Sequence, residues 1–151
     1  MIAKTMLPLA AAALCAALAS PFAFGTAAAD ETLALVEHAT SDSVTDLGAK
    51  GDSAGDILTF ANDIFDKDNA KKVGSDNGWC ARTVAGKAWE CIWTVTLDDG
   101  QITVEGPYYD TADSVLAVTG GTGAYAEASG SMKLHARNDK GTEYDFVYAL
   151  K

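Results

Sequence analysis

Residues 87–97 alternate with a period of two. Trp89, Cys91, Trp93, Val95 and Leu97 fall on one face, and Glu90, Thr94 and Thr96 on the other, joined there by Ile92. That is the side-chain period of a β-strand with one buried face. The pattern recurs. Ile102, Val104 and Tyr108 oppose Gln101, Thr103 and Glu105. Met132, Leu134 and Ala136 oppose Ser131, Lys133, His135 and Arg137. Tyr144, Phe146, Tyr148 and Leu150 face one way, with Glu143 and Asp145 facing the other. A chain that alternates this persistently folds as β-structure.

The runs define eight strands over residues 32–38, 56–66, 73–84, 87–97, 101–109, 114–119, 129–137 and 143–150. Residues 39–54, rich in Ser, Asp, Gly and Thr, form a loop. Asp99-Gly100 is a hairpin turn signal, and Pro107 belongs near a strand end or bulge because it lacks a ladder donor. Eight sequential strands joined mostly by short turns predict an eight-stranded antiparallel up-and-down β-barrel. A two-sheet sandwich is the alternative. A barrel of this size has an interior filled by side chains or holding one small ligand.

The run Ala117-Val118-Thr119-Gly120-Gly121-Thr122-Gly123 ends in three glycines. It lacks the GxxG continuation and the GK[ST] ending of phosphate-binding loops. It reads as a tight corner leaving a strand. Asp66, Asp68 and Asn69 suggest turn chemistry, since no EF-hand glycine or terminal Glu follows.

The first 29 residues read as a secretory signal peptide. Lys4 supplies the positive start, an Ala/Leu-rich run follows, and Ala27-Ala28-Ala29 fits small-residue cleavage. An uncleaved membrane anchor is the alternative. The domain then runs over 30–151, placing the mature protein outside the cell or in a periplasm, with no membrane partner after cleavage. The formal net charge is −10, and loss of Lys4 makes it more negative still. Such a surface argues against nucleic-acid partners. With Cys15 in the leader, Cys80 and Cys91 remain. An even pair in an exported domain reads as a disulfide. If Ala85-Gly86 is a hairpin turn, 84 pairs with 87, 82 with 89 and 80 with 91, leaving the two cysteines opposed at roughly 5 Å between Cα atoms. A free, ligand-facing thiol is the other reading.

Gly55-Asp56-Ile57-Leu58-Thr59-Phe60-Ala61-Asn62, Val73-Gly74, Gly78-Trp79-Cys80, Glu105-Gly106-Pro107-Tyr108 and the Gly120–Gly123 run stand in the order found in allene oxide cyclase barrels. The chain resembles that family over nearly the whole of 32–150, above all its bacterial, exported, cysteine-bearing branch. The glycine run is also similar to that of dirigent proteins. The resemblance implies a barrel with a largely apolar cavity, often assembled as a homotrimer. It also implies steering of an apolar small molecule by shape and a few polar groups, without metal or organic cofactor. It places Glu37 at the catalytic Glu and Asn62 at a water-binding Asn. Leu58, Phe60, Trp89 and Tyr108 fall in the ligand pocket, and Cys80 on the pocket Cys.

The chain also departs from the cyclase pattern. Ala39 stands where the cyclases have Asn, no proline lies between Pro21 and Pro107, and Arg82 occupies an aliphatic position. By hairpin parity Arg82 faces inward opposite Trp89. A buried guanidinium needs a partner, and the expectation is Glu37, with cation–π support from Trp89. Asn62 inside an apolar strand must satisfy its amide, either on a ligand or water or on backbone. His38 and His135 are the only histidines, and no cluster has metal-ligand spacing. Two functions fit. One is an exported cyclase, isomerase or dirigent-like steering protein acting on an apolar small molecule, with Arg82 among the ligand-binding residues and supplying charge together with Glu37. The other is a non-catalytic, lipocalin-like binding or structural protein.

Overall fold

The computed structural model describes residues 31–151, and the signal-peptide reading of residues 1–29 lies outside them. Among the described residues nine strands follow one another without a helix. They are β1 (Glu31–His38), β2 (Ser43–Thr45), β3 (Ile57–Asp66), β4 (Lys72–Val84), β5 (Ala88–Leu97), β6 (Gly100–Tyr109), β7 (Ser114–Gly123), β8 (Gly130–Ala136) and β9 (Glu143–Leu150). Neighbours in sequence pair antiparallel from β3 to β9. β9 returns to β1, and β1 pairs with β3, which closes an eight-stranded barrel. The ninth strand, β2, lies within the expected 39–54 loop and pairs along β3. The expected up-and-down barrel is therefore the fold, with one short strand added.

The inward faces are the ones the alternation marks. Val95, Ile102, Val104, Met132, Phe146 and Tyr148 are sealed from solvent. β4 is the exception in composition. Its inward positions are Gly74, Asp76, Gly78, Cys80 and Arg82, with no large apolar side chain among them. The missing bulk is supplied by neighbours. A Cβ at Gly78 would collide with Trp93 Cβ and the Ile92 carbonyl, so glycine there admits the Trp93 indole, against which Phe60 packs edge-on at 6.0 Å.

Two expected details need correction. The glycine run is not a corner. β7 continues through Gly120 to Gly123 and pairs with β6 as far as Gly100, with Thr119 as the extra, bulged residue. The turn comes after it, at 124–127. Gly121 is needed because a Cβ there would meet the carbonyls of Gln101 and Tyr125. In the β4–β5 hairpin, Cys80 opposes Cys91 and Arg82 opposes Trp89 as the spacing predicts. Beyond Arg82 the register shifts, and Val84 faces Ala88, not Lys87. Cys80 and Cys91 are disulfide-bonded, with Cα atoms 4.0 Å apart.

Candidate active site

β1 turns Glu37 into the barrel opposite Tyr144 of β9 and Ile64 of β3. β3 turns Asn62 inward opposite Asp76 of β4. All three polar side chains are buried, Asp76 to 1% exposure. Their partners form one network. Asn62 Nδ2 donates to Glu37 Oε1 at 2.8 Å and to Asp42 Oδ1 at 3.1 Å. Asn62 Oδ1 accepts from the backbone N–H groups of Thr40 and Ser41 at 2.9 and 3.0 Å, and from Ser41 Oγ at 3.1 Å. The Asn62 backbone N–H donates to Asp76 Oδ1 at 3.1 Å. The Asn62 amide is thus fully used. It fixes Glu37 and latches the segment leaving β1 over the barrel end.

Asp76 was not singled out in the sequence. The signal was present, since it lies four residues before Cys80 on the same strand and shares its inward parity. Its Oδ2 is buried and has no hydrogen-bond partner, and the same holds for Tyr148 Oη and Trp93 Nε1. Burial pushes the Asp76 carboxyl up to about 7. Glu37 is raised well above the usual carboxylate range, first by burial and then by the charge of Asp76. Two carboxyls in one dry space cannot both ionise cheaply, so they divide a proton donor and an acceptor between them.

Above this pair sits a cavity of about 90 Å³. Glu37 and Asp42 are its charged walls, and Phe60, Trp93, Tyr108, Tyr144 and Phe146 its aromatic ones. Leu58, Leu134 and the Cys80–Cys91 disulfide complete it. Tyr108 and Tyr144 face each other at the mouth with hydroxyls 3.1 Å apart. Beyond them the surface opens into a groove of about 700 Å³ between residues 109–113 and 135–141. Tyr108, Leu134 and Tyr144 line both spaces, and Trp89 borders only the outer one.

Arg82 takes neither the expected partner nor a place in the cavity wall. Its guanidinium carbon lies 4.0 Å from the centroid of the Trp89 ring, the anticipated cation–π contact. Its ion-pair partners are Asp52, at 2.6 Å from Nε, and Asp110, whose two oxygens each lie 2.8 Å from Nη1. Glu37 is instead held by Asn62. Asp52, which also accepts from the Gly86 N–H, comes from the long loop after β2. That loop has no period from which a contact is legible. Of the residues singled out in the sequence, the barrel therefore brings Glu37, Leu58, Phe60, Tyr108, Cys80 and Cys91 to the inner cavity. It places Asn62 beneath them, and Trp89 and Arg82 at the barrel end.

The family model described as allene oxide cyclase matches residues 36–138. Among solved structures, a pyocyanin demethylase is similar at 27% identity with a TM-score of 0.68, over 80% of this chain and 100% of that one. The pterocarpan synthase dirigent protein PsPTS1 superposes with a TM-score of 0.64 at 17% identity, over 81% of this chain and 96% of that one. The exo-specific intermolecular Diels-Alderase AbnU does so with a TM-score of 0.65 at 12% identity, over 82% and 98%. The last two likenesses are of fold. The family model spans β1 to β8 and takes in the strands that carry Glu37, Asn62 and Asp76, and the chain belongs to the allene oxide cyclase family.

Proposed function

We propose that this protein is an exported barrel that binds an apolar small molecule and steers its cyclisation or isomerisation, with Glu37 as the acid that touches the ligand. The observation that carries this reading is the position of Glu37. Its carboxyl is buried, pushed well above the usual carboxylate range by that burial, and forms part of the wall of an aromatic cavity. A neutral carboxylic acid in such a place donates a hydrogen bond or a proton to a developing oxyanion. Passing its proton toward Asp76 leaves a carboxylate that stabilises developing positive charge. Phe60, Trp93 and Tyr108 restrict the ligand to folded conformers, which is the entropic part of the catalysis. Asn62 positions Glu37. The 27% identity to a pyocyanin demethylase over that protein's whole length supports a reaction on a small molecule here. The family supports cyclisation as the reaction class. A homotrimer belongs to the same reading, and outward apolar residues such as Trp79 and Tyr109 are surface such an assembly would cover.

A second reading, a non-catalytic binding or structural barrel, is favoured by one observation. The inner cavity of about 90 Å³ is well below the ~300 Å³ of ordinary ligand pockets. Catalysis on anything larger than one ring uses the outer groove as well. The experiment is native mass spectrometry of the purified, oxidised protein to identify a bound species and the oligomer, followed by turnover of that species. Glu37→Gln and Asn62→Ala are expected to lower turnover about a hundredfold or more while binding persists. Turnover unchanged in both variants leaves the binding reading.

A further inference from the structure

We propose that the inner cavity takes the positively charged ring of an aromatic ligand. The inference rests on the small-molecule reading above and names the ligand's chemical class. Among the described residues, Glu37 and Asp42 are the only charged side chains lining the cavity, and no Lys, Arg or His lines it. Asp76 lies behind Glu37 with one carboxyl oxygen buried and unpartnered. The nearby cation of the barrel end, Arg82, is already held by Asp52 and Asp110. Glu37 and Asp76, held out of water without a countercharge, must stay protonated or find a cation, and Asp42 adds negative charge from the exposed rim. The remaining walls suit one. Five aromatic side chains line the space, and aromatic ring faces attract positive charge. A carboxylate ligand would meet the opposite field.

The size of the cavity restricts the ligand further. About 90 Å³ admits one ring, so any remainder passes Tyr108 and Tyr144 into the outer groove. A permanent cation beside Glu37 also displaces its proton to solvent, so with such a ligand Glu37 acts as the carboxylate that stabilises positive charge and not as the acid. The titratable groups facing Glu37 are Asp42 from the segment after β1, Asp76 from β4, Tyr108 from β6, and Tyr144 and Tyr148 from β9. The tyrosines are raised by burial, so Glu37 and Asp76 are the groups that release the proton.

The test pairs two isosteres, N-methylquinolinium and 1-methylnaphthalene, in calorimetric titrations of the purified, oxidised protein. The expected result is binding of the cation at least tenfold tighter than of the neutral hydrocarbon. Proton release, read from buffers of different ionisation heat, accompanies it, and affinity rises with pH. Glu37→Gln and Asp42→Asn each lower cation affinity about tenfold and leave hydrocarbon binding unchanged. Equal or tighter binding of the hydrocarbon overturns the inference while leaving the apolar-ligand reading intact. Cation binding that is the same in both variants belongs to the acidic surface and also overturns it. Binding of neither probe overturns the inference and the small-molecule reading together.

Discussion

Asn62 Nδ2 donates to Glu37 Oε1 at 2.8 Å, while its carbonyl oxygen holds the Thr40 and Ser41 N–H groups. One amide thereby ties the acid of the site to the segment that covers it. Asn62→Ala removes these partners together and leaves two backbone donors and a buried acid to find others. Each buried group left unpaired costs about 1–3 kcal/mol. The variant is expected to lose about 2–4 kcal/mol of stability in urea unfolding. Hydrogen exchange should speed up first at residues 40–42.

The Glu37–Asp76 pair makes stability fall as pH rises. Both folded-state pKa values lie above the ordinary carboxylate range, Asp76 at about 7. Between about pH 4 and 7 the folded state holds more protons than the unfolded one. The stabilisation is therefore full below pH 4 and lost through neutrality. At about 1.4 kcal/mol per pKa unit, the rise of Asp76 from its ordinary 3.8 to about 7 is on the order of 4 kcal/mol. Asp76→Asn should flatten the profile between pH 4 and 8 in denaturant titrations. A profile as steep as that of the wild type would show that the pair does not share a proton.

The Cys80–Cys91 disulfide closes a short loop, its cysteines 11 residues apart in sequence. Constraining such a loop contributes about 2–3 kcal/mol through the unfolded state. The variant carrying both Cys80→Ala and Cys91→Ala should unfold several degrees lower, and wild type with reductant should approach it. Because the disulfide is part of the cavity wall, the double variant should also accept bulkier ligands.

Arg82 sits 9% exposed between Asp52, Asp110 and the Trp89 ring. Arg82→Met keeps the stem but strands two carboxylates at the barrel end, at an expected cost of about 2–3 kcal/mol. Arg82→Lys recovers only part of that, because an ammonium cannot fork between two acids while stacking on the indole. Thermal unfolding of the two variants side by side reads the difference.

What was legible in the sequence follows from what has a period. Alternation at Trp89–Val95 and Tyr144–Leu150 fixed which faces are buried. The Cys80 and Cys91 spacing fixed the register of their hairpin. Asp76 obeyed the same parity, but it sits on an arm whose inward positions are otherwise glycines, a half-cystine and Arg82, so no apolar rhythm drew attention to it. The Gly120–Gly123 run was ambiguous for a different reason. Glycine serves a turn and a close strand approach equally well, and only the partner strand decides between them. The partners of Arg82 came from Asp52 in an aperiodic loop and Asp110 past a strand end. Neither place carries a sequence signal for contact.

The central claim is that the space above Glu37 holds a small molecule. Native mass spectrometry of the purified, oxidised protein with a small-molecule extract, beside a Leu58→Trp variant that fills the cavity from its Leu58 wall, tests it directly. The account predicts a stoichiometric adduct on the wild type and none on the folded variant. An adduct on both, or on neither, would contradict it.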